Sequence, residues 1–188
     1  MKSKKNKVKK NNTIKNKLLD KLPELINING IYLLLLQQNK SESIKMQCTI
    51  FGGNYLEDKN NYGIAHLLEH LLMSSSQYCK KEICDIYLSK YGIKSNASTH
   101  DMYTNYWVMG LPEYEKILLN FITSIILYPK ITQKILDREK EAVKHELEGI
   151  LNDPNSDFIN QIYKRFYKPQ SYKHAVDYKK QLKLLNKI

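Results

Sequence analysis

The amino-acid sequence predicts an α+β fold in which an antiparallel-rich sheet is covered by helices on one face. Most segments with strand character precede residue 112, and only helical patterns follow it. An Asn-Gly pair also joins two of the strand segments, and this pair is the strongest short signal for a β-hairpin. Strands that precede a run of helices are typical of a sheet with helices packed against it.

The strand segments are short, and turn residues separate them. They cover residues 26–28, 31–37, 43–51, 93–99 and 102–111. Asn29-Gly30 joins the first two into a predicted hairpin. Gly52-Gly53 ends the third segment, and a tight turn near His100-Asp101 joins the last two.

The helical segments are recognised from apolar periodicity and from their end signals. They cover residues 62–73, 79–91, 112–127, 132–151 and 155–167. Gly92 closes the second helix, and Pro112 suits the first position of the third. Thr132 is the predicted N-cap of the long fourth helix, and Asp153-Pro154 separates it from the last.

Positive charge is concentrated at the N-terminus. The formal net charge is +11, and residues 1–21 contain nine lysines against one acid, Asp20. Since a Lys- and Asn-rich run cannot offset its ordering entropy, we predict a basic, largely disordered tail over 1–21 and one domain over 22–188. The tail is interpreted as a solvated leader, or as a weak electrostatic tether to nucleic acid or anionic lipid.

The sequence indicates neither a specific nucleic-acid partner nor a transmembrane segment. The lysines are not interleaved with arginines or aromatic residues, as they are in nucleic-acid-binding surfaces. The longest apolar run, 31–36, is far too short to cross a bilayer. Because no signal peptide is visible either, we expect a cytoplasmic protein.

A candidate metal motif lies inside the first predicted helix, where residues 66–70 read His-Leu-Leu-Glu-His. His66 and His70 are four apart, so both can point at one ion. Glu69 borders the same site. Zinc lowers the pKa of a bound water to about 7, so that a neighbouring carboxylate can take its proton. This order of residues is a zincin signature. The alternative is two ordinary histidines on an amphipathic helix.

Two histidines are not sufficient, because a catalytic zinc has three protein ligands. The fourth predicted helix supplies acidic candidates. Glu139 and Glu146 are seven residues apart, which places them two turns apart on one helix face. One carboxylate can bind the metal while the other orients a ligand. From spacing alone the choice between them stays open, and an ordinary charged helix face is the alternative.

These residues together resemble the pitrilysin/insulysin family of peptidases, which includes the mitochondrial processing peptidase. The resemblance covers about residues 26–168 and comprises four collinear parts. The first part is Asn29-Gly30 with Phe51-Gly52-Gly53-Asn54, and the second is the signature helix 63–73. The third part comprises Gly92, residues 95–99, Asp101, Thr104 and Tyr106. The fourth runs from Glu139 to Glu146 and is followed by Asp153-Pro154.

The resemblance implies specific roles. In this family the third zinc ligand is a Glu roughly seventy-six residues after the second His, which corresponds to Glu146. Glu139 corresponds to a supporting acid, and Glu69 to the general base. The Asn-Ala-Ser-Thr strand is an edge along which the substrate extends, so Asn96 and Ala97 are implied substrate-binding residues.

One departure from the family pattern concerns the substrate cavity. Family enzymes consist of two related halves, and the second half contributes an Arg and a Tyr that bind substrate. This sequence ends at Ile188, so we expect a catalytic domain that is incomplete at its C-terminal end. A second family half or subunit is the expected partner that supplies the Arg–Tyr pair.

The resemblance therefore implies a zinc metalloendopeptidase, or the catalytic chain of a two-chain one, with one Zn²⁺ per chain. It would hydrolyse peptides or unfolded segments by means of zinc-activated water. The alternatives are a truncated, inactive family member and a non-enzymatic interaction subunit that binds zinc or peptides. The presence of His66, Glu69, His70 and Glu146 together favours the enzyme.

Overall fold

The computed structural model describes residues 23–38, 40–58, 60–77, 81–166 and 178–187. The chain divides into two compact units, with the boundary between Glu42 and Ser43. The predicted tail 1–21 lies outside the described residues, so its separation from a domain over 22–188 stays a prediction. No described helix has the length and apolarity needed to span a membrane.

The described part of the first unit contains a β-hairpin. Strands β1 (Glu24–Ile28) and β2 (Ile31–Leu35) pair antiparallel, with Ile28 opposite Ile31. Asn29 and Gly30 have φ values of 52° and 89°, so both turn residues occupy the left-handed region that a two-residue hairpin turn requires. The amide of Gly30 also donates to Oδ1 of Asn27 at 2.9 Å.

The second unit contains a three-stranded antiparallel sheet. Its strands are β3 (Ile44–Ile50), β4 (Lys94–Thr99) and β5 (Thr104–Gly110), in the order β3-β5-β4. β5 is therefore central, and β4 lies at one edge of the sheet that the structure describes. The register places Thr99 opposite Thr104 and Ala97 opposite Tyr106.

Six helices are described in the second unit. They are α1 (Ile64–Ser74), α2 (Lys81–Lys90), α3 (Glu115–Leu127), α4 (Gln133–Asn152), α5 (Pro154–Phe166) and α6 (Tyr178–Leu185). The hydroxyl of Thr132 accepts from the amide of Ile135, as predicted for the α4 N-cap.

Two apolar clusters hold the second unit together. In the larger one, Tyr106 and Val108 of β5 pack with Leu118 and Ile122 of α3. In the other, Leu67 and Leu71 of α1 pack against α4 and α6, on Val143, Leu147 and Leu185. Each fully buried Leu or Val contributes about 1.5–3 kcal/mol. Because α1 is anchored to α4, the two helices that carry the predicted metal residues are held side by side.

The predicted α+β fold class is confirmed, with two local differences. The hairpin forms a two-stranded sheet of its own, whereas the sequence predicted one sheet. Pro112 begins a single 3₁₀ turn, Pro112–Tyr114, and the α-helix follows only at Glu115. A short 3₁₀ turn is a common way to enter a helix, and the fixed φ of proline suits it as well as it suits an α-helix.

Candidate metal centre

Three of the predicted site residues converge. His66 and His70 lie one turn apart on α1, and Glu146 faces them from α4. Oε2 of Glu146 is 3.6 Å from Nε2 of His66 and 3.4 Å from Nε2 of His70. One potential ligand atom from each residue lies within 4.8 Å of the others. The sequence alone left Glu139 and Glu146 as alternatives for the third ligand, and Glu146 is the acid that lies close to Nε2 of both histidines.

The distances from Glu146 to the two histidines suit a shared zinc ion. Two ligands that are 2.0–2.1 Å from a tetrahedral zinc lie about 3.3 Å apart. The two contacts of Glu146 are close to this value. A set of two histidines and one glutamate is also an established donor set for catalytic zinc. The side chain of Glu146 is 48% exposed, so a fourth coordination position would open toward solvent.

Glu139 lies on the other side of His70. Its Oε2 is 3.5 Å from Nδ1 of His70, and its side chain is only 1% exposed. Nε of Arg138 donates to Oε1 of Glu139 at 2.9 Å. A carboxylate behind a ligating histidine fixes the tautomer and the ring orientation, so that Nε2 is presented to the metal. Glu139 is therefore positioned to orient His70 rather than to bind the ion.

The electrostatics of the two histidines differ. Burial lowers the pKa of His66, although nearby carboxylates oppose this effect. The hydrogen bond with Glu146 raises the pKa of His70. The same hydrogen bond lowers the pKa of Glu146, which keeps its carboxylate charged. A zinc ion would require neutral imidazoles, so protons would compete with it more strongly at His70 than at His66.

Glu69 is on the same helix and is 9% exposed. Its Oε2 accepts a hydrogen bond from Oγ1 of Thr99 at 2.5 Å. Its charge adds to the increase in the pKa of His70 that Glu146 mainly causes, and it partly offsets the decrease in the pKa of His66 that burial causes. Burial, with a smaller contribution from Glu69, also raises the pKa of the buried Tyr106. Glu69 therefore lies between the histidine pair and the sheet.

The predicted substrate-binding residues lie on β4 and are not members of the three-residue cluster. The side chain of Asn96 is exposed, and Ala97 is 9% exposed in the apolar core. β4 hydrogen-bonds only to β5 among the described strands. A peptide that used this strand would therefore meet the main chain of Ala97 and not its side chain.

Glu57 is an important residue that sequence reasoning missed. It is 4% exposed, and its two carboxylate oxygens accept from the amides of Gly63 and Ala65 at 2.9 and 2.8 Å. Negative charge and hydrogen-bond acceptors both stabilise a helix N-terminus. Glu57 thus fixes the start of the helix that carries both histidines. An acidic residue shortly before a predicted helix is the only signal that pointed to it.

Helix α6 was also missed, although it packs on the same region. Nζ of Lys180 lies 4.1 Å from the centre of the Tyr62 ring. Gly63 has a φ of 89°, and a Cβ there would lie 3.2 Å from Cβ of Gln181. Burial raises the pKa of Tyr178, with a smaller contribution from the charge of Glu146. These contacts place α6 against the N-terminal end of α1.

The other two histidines that the structure describes, His100 and His145, do not belong to the cluster. His100 contacts Ser98 and Tyr103, while His145 is exposed and faces Glu148. His174 lies outside the described residues.

Comparison with known proteins gives an independent line of evidence. Residues 33–178 match the family described as insulinase, peptidase family M16. The chain is 28% identical over 127 residues to mouse insulin-degrading enzyme, and the match covers 66% of this chain and 12% of that enzyme. It is 27% identical over 101 residues to the mitochondrial ubiquinol-cytochrome-c reductase complex core protein I of Euglena gracilis, covering 54% of this chain and 20% of that protein.

The fold is similar to that of a solved protein. The crystal structure of a protease from Helicobacter pylori superposes with a TM-score of 0.70 at 23% sequence identity. The superposition covers 88% of this chain and 42% of the bacterial one. The chain therefore spans well under half the length of each of these relatives.

Proposed function

Because the chain belongs to the insulinase family of peptidases, peptidase family M16, we propose that it is a zinc metallopeptidase or the catalytic chain of a two-chain one. Its substrates are peptides or unfolded protein segments. The observation that supports this most strongly is the approach of Glu146 to both histidines, at 3.6 and 3.4 Å. In this proposal His66, His70 and Glu146 bind one Zn²⁺.

A bound zinc ion would polarise a peptide carbonyl and acidify a water molecule. The remaining steps belong to side chains of this chain. Glu69 accepts the proton at its carboxylate and then donates it to the leaving amine. Glu139 holds the ring of His70 so that Nε2 faces the ion. Glu57 keeps the first turn of α1 intact beneath both histidines.

We propose that the substrate binds along β4. The strand lies at an edge of the described sheet, and its residue Thr99 contacts Glu69. Backbone pairing along an edge strand selects for extended main chain and only weakly for side-chain identity. Asn96 and Ala97 would contact the peptide, Ala97 through its main chain. Unfolded segments fit such a site better than folded domains do.

The proposed partner is a second family half or subunit that supplies an Arg–Tyr pair. Two observations favour it. The side chain of Glu146 is 48% exposed, and the matched region covers 42% of the similar bacterial protease. A second half that covered the metal would exclude water and strengthen the electrostatic interactions within the site.

A non-enzymatic role is the second candidate. The Euglena relative is described as a core protein of a respiratory complex and not as a peptidase. In this alternative the chain binds zinc or peptides as an interaction subunit without hydrolysing them. Glu69 distinguishes the two candidates, because an interaction subunit has no need of a general base.

The test is cleavage of an internally quenched, unstructured peptide by the zinc-loaded protein, alone and with a co-expressed second half from a related two-half enzyme. We expect cleavage that a chelator abolishes and added zinc restores. The variant Glu69→Gln should retain zinc and lose cleavage. Peptide binding that is equal in wild type and Glu69→Gln, without cleavage under either condition, would favour the interaction subunit instead.

A further inference from the structure

We infer that Thr99 is a positioning residue for Glu69 and that it couples the substrate strand to the general base. The inference rests on the proposed function of Glu69 and adds a residue to which no role has been assigned. The key contact is the hydrogen bond from Oγ1 of Thr99 to Oε2 of Glu69 at 2.5 Å. This distance is typical of a strong hydroxyl-to-carboxylate hydrogen bond.

This hydrogen bond is partly shielded from solvent, so water cannot readily replace it. Glu69 is 9% exposed, and Thr99 is also partly shielded from solvent. Among the described residues, the Thr99 hydroxyl is the hydrogen-bond donor to the Glu69 carboxylate. Since one oxygen is held, the other, Oε1, is left to exchange a proton. A buried carboxylate that lost this donor would have to rotate or recruit water.

The position of the hydroxyl is fixed by the sheet. Thr99 is the last residue of β4, and Thr104 of the central strand β5 lies opposite it. A threonine has restricted χ1 freedom because its Cβ is branched. The hydroxyl therefore moves with the strand and does not sample many rotamers.

The same strand carries Asn96 and Ala97, the proposed contacts for a bound peptide. Thr99 is three residues from Asn96 and two from Ala97, so the proposed peptide contacts and the hydroxyl that bonds to the base lie on one strand. Positioning groups of this kind matter because a displacement of about 1 Å at a reacting group can lower a rate about a hundredfold. Pairing of a peptide with β4 would also restrain the strand and, through Thr99, the carboxylate.

Three variants test the inference. Thr99→Val keeps the shape of the side chain and removes the donor, and Thr99→Ser keeps the donor. Thr104→Val is the matched control, because it makes the same change at the opposing residue, whose hydroxyl donates to the carbonyl of Gly52. Unfolding by urea identifies the conditions under which each variant is folded.

The first measurement is the ¹³C resonance of the Glu69 side-chain carboxyl in metal-free protein, assigned by its loss in Glu69→Gln. We expect Thr99→Val to shift this resonance, and Thr99→Ser and Thr104→Val to leave it near the wild-type position. An unchanged resonance in Thr99→Val, or an equal shift in Thr99→Ser, would overturn the inference. The measurement needs no zinc and no turnover, so it is independent of the proposed function.

The second measurement is zinc affinity and peptide cleavage of the same proteins. Thr99→Val should bind zinc as tightly as wild type while kcat falls about tenfold to a hundredfold at unchanged KM. Thr99→Ser should restore kcat. Loss of zinc affinity in Thr99→Val would indicate a structural role and would contradict the inference. Absence of zinc in the wild-type protein would refute the proposed function, and the carboxyl resonance would still report on Thr99.

Discussion

The carboxylate of Glu139 lies 3.5 Å from Nδ1 of His70, whereas the carboxylate of Glu146 lies 3.4 Å from Nε2 of the same ring. Glu139 is 1% exposed, and its Oε1 takes a hydrogen bond from Nε of Arg138 at 2.9 Å, which holds the carboxylate beside the ring. His70 is thereby held between one acid that orients it and another that shares its proposed ion.

This relationship predicts the effect of Glu139→Gln on metal binding. Loss of the charge should weaken zinc affinity about tenfold to a hundredfold, because partners behind a ligating histidine typically contribute that much. Affinity is measured by competition with a chromophoric chelator on protein shown to be folded. Glu141→Gln is the control, since Glu141 is on the same helix, exposed, and paired with Lys144. Equal affinities of both variants would contradict the role of Glu139.

Zinc affinity should also depend on pH. The pKa of His70 is raised above its ordinary 6.5 by Glu146. Zinc binds the neutral ring, so protons displace the ion as pH falls through this raised value. We expect affinity to fall about tenfold per pH unit for each proton displaced. A chelator competition series between pH 8 and 5.5 measures this, and an affinity that is constant over the range would be inconsistent with His70 as a ligand.

The free energy of unfolding of the metal-free protein should also depend on pH, in a way that differs from the pH dependence of zinc affinity. The raised pKa of His70 contributes stability below 6.5 that is lost as pH rises through the folded value. The lowered pKa of Glu146 contributes stability above 4.5 that is lost as pH falls through its folded value. The ion pair is therefore most stabilising between 4.5 and 6.5. Urea midpoints of wild type and Glu146→Gln should differ most in that window, and a constant difference from pH 4 to 9 would contradict it.

Removal of the acceptor pair at Glu57 should destabilise the start of α1. In Glu57→Gln only one side-chain oxygen remains for the amides of Gly63 and Ala65. We expect a loss of about 1–3 kcal/mol in the free energy of unfolding. Asp58→Asn is the control, because Asp58 is exposed and its Oδ1 acceptor for Asn60 is retained. Its effect should stay within about 0.5 kcal/mol, and a comparable loss in both variants would argue against the cap.

Gly63→Ala tests the contact between α1 and α6. Gly63 has a φ of 89°, and a Cβ there would lie 3.2 Å from Cβ of Gln181. We expect Gly63→Ala to lower the free energy of unfolding by about 1–2 kcal/mol. Gly149→Ala is the opposite case, since Gly149 lies in α4 with no atom within 4 Å of an added Cβ. That change should stabilise the protein by up to about 1 kcal/mol. Denaturant unfolding of both variants measures the contrast, and two changes of the same sign would refute it.

The elements of the site were largely predictable from the sequence. His66 and His70 are four residues apart, and a helical period alone places them on one face. The long helix with Glu139 and Glu146 was indicated by its Thr132 cap and its charged periodicity. The choice between the two acids was not a local property. It depends on how α4 packs against α1, and the sequence indicated it only through a family resemblance.

Other contacts could not be read from local patterns. Glu57 reaches amides six and eight residues further along the chain, across a loop whose path no periodicity describes. Thr99 meets Glu69 because a strand end and a helix approach one another, at a separation of 30 residues. The helix over Tyr178–Leu185, which was not predicted, brings Lys180 to the Tyr62 ring although the two residues are far apart in the sequence. Such contacts arise from tertiary packing, which sequence periodicity does not encode.

The most direct test of the zinc site is elemental analysis of the purified protein after exposure to zinc and dialysis at neutral pH. We predict one zinc per chain in wild type and in the control Glu141→Gln, and loss of that zinc in His66→Gln and Glu146→Gln. A wild-type chain without stoichiometric zinc, or the same zinc content in Glu146→Gln as in wild type, would contradict the proposed centre of His66, His70 and Glu146.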